Sequence, residues 1–239
     1  DDNTTEATWI FDILLWPAIE IAKQLTIQTQ EIVSQLQPDE FFNCAWGKKN
    51  KEITSPNIIK LIERFNLVFY WIIEEILRYD KKSIRCKVIE KFICVALFLN
   101  EFQNYNDLVL IVSALNSNII KKLESTLSMT GQVYKKHWIE LTNLCSHEKN
   151  YYELRKHQSS QMRKGDDNEK TSLDIASGLD YEISKKASTL KVTMIKEMSN
   201  DSMKISENDN NDKSPMIPYL GLLLRDISFC IEGCAYTKD

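Results

Sequence analysis

Residues 55–77 read SPNIIKLIERFNLVFYWIIEEIL, and this stretch decides the fold class. Ser55 suits an N-cap, and Pro56 suits the first helical position, where its missing N–H costs nothing. Apolar residues then fall at 58, 61, 62, 65, 68, 69, 72 and 76, the spacing of one helix face. Trp71, Ile73 and Leu77 widen the stripe, and polar residues survive at Lys60, Glu63, Arg64, Glu74 and Glu75. A stripe this wide predicts a central, largely buried helix.

The same pattern extends outward. Downstream, a helix from Lys82 to Phe102 is predicted by Ile84, Val88, Phe92, Ala96 and Leu99, with Asp80 or Ser83 as its cap. Asn106-Asp107 caps a third helix, Leu108 to Leu115, which is apolar nearly all round and therefore interior. Asn116-Ser117-Asn118 punctuates before Ile119–Leu127, Thr130-Gly131 opens a helix through Cys145, and Ser146 caps another through about Gln158. Upstream, Pro17 starts a helix carrying Ile19, Ala22, Leu25, Ile32, Val33 and Leu36, and Pro38-Asp39-Glu40 starts a short one with Phe41, Phe42 and Trp46. Gly47 to Lys51 is a solvated loop. The aromatic set Phe65, Phe69, Trp71 and Phe92 belongs to the core.

Composition agrees. Among 239 residues, 43% are hydrophobic, enough to bury one large core. Only six glycines and five prolines occur, and none of the prolines lies between Pro56 and Pro215. Hairpins and barrels need that punctuation and long helices avoid it. An all-α, single multi-helix domain over residues 9–239 is the reading.

Charge narrows the function. A net charge of -4 with mixed signs offers no basic field for nucleic acid. Apolar runs such as Ile13–Trp16 and Cys94–Leu99 are too short to span a bilayer, so no direct membrane insertion is expected. The polar opening Asp1-Asp2-Asn3-Thr4 is no secretory signal and lacks a methionine, which points to a piece of a longer, cytoplasmic protein. Cysteines at 44, 86, 94, 145, 230 and 234 form no Cys-x-x-Cys pair and read as free core thiols. His137, His147 and His157 lie ten apart and build no ligand set, and no Gly-x-Ser-x-Gly or phosphate-cradling loop occurs. Covalent or metal chemistry has no residues to carry it, and no cofactor is called for.

From Ser159 to Ser214 the chain turns polar, and its edges, 163–170 and 207–213, are linker-like. This stretch reads as a partly disordered insertion. Order is expected to return at Pro215-Met216-Ile217-Pro218-Tyr219-Leu220-Gly221-Leu222, after which Leu220–Ile231 is apolar again.

Several phrases recur in one order: Ala22-Lys23-Gln24-Leu25-Thr26, Ser55-Pro56-Asn57, Arg64-Phe65-Asn66, Asn104-Tyr105-Asn106, Ser113-Ala114-Leu115-Asn116-Ser117, Lys122-Leu123, Asn150-Tyr151-Tyr152, and Ile217-Pro218-Tyr219-Leu220-Gly221 with Leu224 and Asp226. In this order they resemble the catalytic domain of Ras-family guanine-nucleotide exchange factors of the Son-of-sevenless type. The resemblance covers most of residues 17–158 and 215–233. It implies a central groove that holds switch 2 of a small GTPase of Ral, Ras or Rap type. It also implies a protruding helical hairpin that displaces switch 1, here about residues 130–158. Such a domain stabilises the nucleotide-free GTPase, so that GDP leaves and GTP replaces it, without covalent chemistry. The full-length protein would then be recruited to membranes by its other parts.

The resemblance places Lys23, Thr26, Asn57 and Leu127 in the GTPase-binding groove, with Asn57 cross-linking the hairpin to the core. On the first hairpin helix, Tyr134, Trp138, Leu141 and Cys145 face the core, and Lys135, Ile139, Glu140 and Asn143 lie opposite. Ile139 reads either as a wedge offered to a partner or as an ordinary exposed isoleucine. Glu140 beside it could compete for the magnesium or phosphate-binding groups of the GTPase. Lys122 and Leu127 stand where many family members have arginine and tryptophan, and the insertion has no counterpart of its length. Gln37-Pro38-Asp39-Glu40 and Cys44 to Lys49 resemble the Ral-directed exchangers. The rival reading is a signalling scaffold that keeps the fold and has lost exchange.

Overall fold

The computed structural model describes residues 12–163 and 216–235, and among these every regular element is helical. In chain order, α1 is Ala18–Val33, α2 Lys51–Thr54, α3 Pro56–Leu77, α4 Lys82–Glu101, α5 Tyr105–Leu115, α6 Asn118–Lys121, α7 Glu124–Leu127, α8 Gln132–Leu144, α9 Tyr152–Arg163 and α10 Leu220–Ala235. Short 3-10 segments occupy Ile13–Leu15 and Pro38–Gly47. The expected solvated loop at 47–51 is therefore partly α2. Of the polar stretch 159–214, residues 159–163 continue α9 and the remainder lies outside the described residues, as do the domain boundaries at 9 and 239.

The core forms around α4 and α5, which pack on each other, on α1 and on α3. Helix α5 is buried at every position from Tyr105 to Val112, as its all-round apolar sequence requires. Phe92, Ile93, Leu99, Leu108, Leu110 and Ile72 are closed to solvent, each side chain contributing about 1.5–3 kcal/mol. A second, smaller cluster joins Ile32 of α1, Ile58 and Leu61 of α3, and Leu220 and Leu224 of α10. Cys44, Cys86, Cys94, Cys145 and Cys230 are free thiols. Burial pushes the Cys94 and Cys145 thiols up to about 12, so both stay protonated and unreactive.

Several helix starts differ from expectation: α4 begins after Lys81 with no side-chain cap, neither Asp80 nor Ser83 serving. Ser55 precedes α3 but does not cap it; its hydroxyl donates to the carbonyl of Glu40 at 2.8 Å. The cap comes from the Glu40 carboxylate, which accepts from the backbone N–H of Asn57 at 2.8 Å and of Ile58 at 3.0 Å. An acid from a distant segment does the work of a local hydroxyl because an anion is favoured at a helix N-terminus. Helix α5 is capped by Asn104, whose side chain accepts from the Asp107 N–H, and not by Asn106-Asp107. Ser146 starts no helix, because the chain first turns through Lys149, Asn150 and Tyr151, all left-handed with φ of 46°, 59° and 58°.

Candidate functional site

The site begins with α1. Pro17 opens this helix and Ile21, Ala22, Leu25 and Ile32 bury its inner face. Thr26 lies at the edge of that face: its hydroxyl donates to the Ala22 carbonyl at 2.8 Å and accepts from the Asn104 amide at 3.1 Å. Behind it stands a closed polar network. Arg64 of α3 donates to Asp107 at 2.8 Å and to the Leu25 carbonyl at 2.9 Å, while Thr29 and Asn104 also donate to Asp107. Asp107 is fully buried, so its charge is tolerable only because of these donors. Three helices, α1, α3 and α5, are thereby held in one register beneath Thr26.

The segment Met216–Tyr219 then closes the site. Ile217 pairs in parallel with Asn104: its N–H donates to the Gln103 carbonyl at 3.1 Å and its carbonyl accepts from Tyr105 at 2.9 Å. Tyr219 packs between Phe65 of α3 and Tyr151 of the α8–α9 connection, with ring centres 6.4 and 5.5 Å away. Burial and the nearby Tyr151 hydroxyl push the Tyr219 phenol well above its ordinary range. Gly221 is required by this packing, since a Cβ there would come within 2.5 Å of the Tyr219 hydroxyl.

The four residues expected in the groove thus divide. Lys23 is exposed and paired with Glu20 at 2.8 Å. Thr26 is tied into the network. Leu127, at the end of α7, packs half-buried on the core. Asn57 is engaged elsewhere: its amide donates to Gln35 O at 2.9 Å and to the Glu40 carboxylate at 2.8 Å, so it joins α3 to the α1–α2 connection and not to the hairpin. Burial acts to raise the Glu40 carboxyl, but the bonds from Asn57, Ile58 and Gln37 outweigh it and hold its pKa below the ordinary value. An apolar cavity of about 780 Å³ does run between α1 and α3, lined by Trp16, Gln24, Gln28, Leu67 and Tyr70 among others. It lies on the side of α1 facing away from Thr26, since Gln24 and Gln28 are each two residues, about 200°, from it.

The hairpin residues divide similarly. Helices α8 and α9 lie together, and Leu141, Cys145 and Leu154 enter the main core with Tyr134 and Trp138 against it, as the spacing predicts. Ile139 and Asn143 face outward, Ile139 being 61% exposed. Lys135 donates to the Ser128 carbonyl at 3.1 Å, beside Leu127, and so fastens α8 to the end of α7. Glu140 pairs with His137 at 3.0 Å, and His137 itself is buried. The pair α8–α9 is seated on the body along one side.

Helix α10 leaves that body more freely. Its first turns enter the smaller core cluster through Leu220 and Leu224, and it packs on the segment Pro38–Gly47. Beyond them Phe229, Cys230 and Ile231 are exposed, Phe229 by 54%, and Leu223 is exposed on the way. This outward apolar face was visible in the sequence only as an apolar run. Its far side is secured by Arg155 of α9, which donates to Asp226 at 2.6 Å.

Among the described residues no group of three or more His, Cys, Asp or Glu side chains could hold a metal ion, and no helix is long and apolar enough to cross a membrane. What the arrangement offers is a braced helical surface with exposed apolar residues on α8 and α10. The family model for the RasGEF domain matches residues 20–239, and the chain belongs to that family.

Among its curated relatives is the zebrafish (Danio rerio) Ras-specific guanine nucleotide-releasing factor RalGPS1, 35% identical over 151 residues, or 63% of this chain and 26% of that one. The human (Homo sapiens) RalGPS2 is 34% identical over the same length, covering 63% of this chain and 26% of its own. Ras guanine nucleotide exchange factor Q of Dictyostelium discoideum is 35% identical over 158 residues, 66% of this chain and 12% of its own. The chain therefore spans about a quarter of the first two relatives, and less of the third.

Proposed function

We propose that this domain is a guanine-nucleotide exchange factor: it binds a small GTPase of the Ras superfamily in its nucleotide-free form and speeds the release of GDP. The observation that carries this is the single family match across residues 20–239, joined to the way its two ends meet. Ile217 pairs with Asn104 and Tyr219 packs on Phe65 and Tyr151, so the elements on both sides of the polar stretch form one surface.

Exchange by this route needs only binding. A partner that holds the nucleotide-free state more tightly than the nucleotide-bound state shifts the population toward release. The surface around Lys23 and Thr26 takes switch 2, and Asn57 supports it from behind through Glu40, while Leu127 lies toward the other end of α4, where its neighbour Thr126 meets Arg85. Switch 1 is displaced by the outward side of α8, where Ile139 is the apolar contact and Asn143 its polar neighbour. Glu140 and Lys135 shape that side through His137 and Ser128. The relatives named for RalGPS make a Ral protein the first substrate to test.

The test is direct. Ral, Ras and Rap proteins are loaded with fluorescent GDP and its release is followed in excess unlabelled nucleotide. Acceleration of at least one of them by well over a few-fold is expected. Binding to the GTPase without acceleration of any would overturn exchange in favour of a scaffold.

A further inference from the structure

The ion pair Arg155–Asp226 joins α9 to α10 across the polar stretch, and neither residue belongs to the surface described above. Three observations converge on it. Arg155 uses both ends of its guanidinium: one nitrogen donates to Asp226 at 2.6 Å, and Nε donates to the Asn150 carbonyl at 2.9 Å. Asn150 and Tyr151 belong to a run of three left-handed residues without a glycine among them, a conformation that persists only where surrounding contacts impose it. From that run, the Asn150 carbonyl accepts from Arg155 and the Tyr151 ring meets Tyr219 at 5.5 Å. A strained turn thus reaches the start of α10 directly through Tyr151 and, with Arg155 as the clip, through Asp226. The hydrogen bond from Arg155 holds the Asp226 carboxyl below its ordinary pKa, so the clip is charged on both sides at neutral pH.

Geometry explains why α10 needs such a clip. Its buried anchors, Leu220, Leu222 and Leu224, lie in its first two turns; beyond them the Ser228 hydroxyl meets the Cys44 thiol at 3.6 Å, and Phe229 and Ile231 stand exposed. A helix whose apolar anchors are gathered in its first turns depends on its lateral polar contacts for direction. Asp226 follows the last buried anchor by two residues and stands one turn beyond the buried Leu222 on the same face, where Arg155 of α9 meets it.

We propose that Arg155 and Asp226, with the left-handed turn Lys149–Tyr151, form a latch that sets the direction of α10 and thereby positions its exposed face for nucleotide exchange. The latch rests on the exchange reading for its consequence but not for its geometry. Arg155 and Asp226 are positioning residues; neither touches the nucleotide. Since both are more than a third exposed (36% and 39%), the clip is open to competition by water and salt, as an adjustable element requires.

Two readouts test it together. Nitroxide labels on Cys230 of α10 and on Lys87→Cys of α4, in a Cys44→Ser/Cys234→Ser background, report the direction of α10 as a distance distribution. The buried thiols at 86, 94 and 145 are protected from labelling. Exchange kinetics on fluorescent-GDP-loaded Ral report kcat and KM separately. Arg155→Ala and Asp226→Asn are each expected to broaden the distance distribution and to lower kcat by about ten- to a hundred-fold, leaving KM and the melting temperature nearly unchanged. The charge-swapped double variant, Arg155→Asp with Asp226→Arg, is expected to narrow the distribution again and to regain part of kcat. An unchanged distribution in both single variants would overturn the latch, as would a broadened one with wild-type kcat. If the wild-type domain accelerates no GTPase, the exchange reading fails, and the distance measurement alone decides whether the latch exists.

Discussion

Two aspartates in this molecule are each held by an arginine from another helix, and they do opposite things. Asp107 is fully buried and takes donors from Arg64, Thr29 and Asn104. Asp226 is 39% exposed and takes Arg155 at the foot of α10. Burial makes the first pair indispensable, because removing one partner leaves the other charged in a dry interior. Solvent makes the second pair replaceable in stability, so what it controls is direction. The same chemistry therefore builds the body in one place and orients its edge in the other.

The sharpest way to break this contrast is Asp107→Ala. It strands the Arg64 guanidinium among α1, α3 and α5, and the expected loss is about 3–5 kcal/mol of unfolding free energy in a urea titration. A loss as small as that of a surface substitution would show that Asp107 is not structurally special. Next comes Gly221→Ala, which pushes the Tyr219 ring from its place between Phe65 and Tyr151. Overpacking of this kind costs about 1–3 kcal/mol, read as a lowered urea midpoint, and the labels on α10 should move with it.

Glu40→Gln lies below these, at about 1–2 kcal/mol for a lost helix cap, and carries a pH signature. The folded-state pKa of Glu40 is depressed, so its stabilisation is present above the unfolded-state pKa and is lost as pH falls through the folded one. The stability gap between wild type and Glu40→Gln should therefore be full at neutral pH and close in acid. A gap independent of pH would assign the effect to shape instead of charge. The smallest stability effect is expected for Ile139→Ala on the outer side of α8, within about 0.5 kcal/mol, while exchange on Ral falls. Wild-type exchange from Ile139→Ala and from Glu140→Lys alike would remove that side of α8 from the proposed interface.

Much of the body was legible in residue order. The wide stripe of α3, the all-round apolar α5 and the core-facing Tyr134, Trp138, Leu141 and Cys145 of α8 follow from periodicity, which depends on neighbours three and four positions away. The partners of polar residues were not legible. Arg64 and Glu75 stood among the polar survivors of α3, yet both are buried. Asn57 was expected to reach the hairpin and instead reaches Glu40 and Gln35. Each such bond joins residues many turns apart in sequence, and no periodicity announces it.

The edge of the molecule was the hardest to read. Apolar content at 220–231 signalled burial, but only the packed structure shows that Leu220 and Leu224 are covered while Phe229 and Ile231 are left outside. By itself the sequence determined the helices, their inner faces and the family order of its phrases, since these rest on local spacing. Tertiary structure alone decided which carboxylates are buried, which residues of α10 are left exposed, and which arginine meets it. Those outcomes depend on what distant segments bring to a position, and burial then sets whether a charge there stabilises, orients or stands in water.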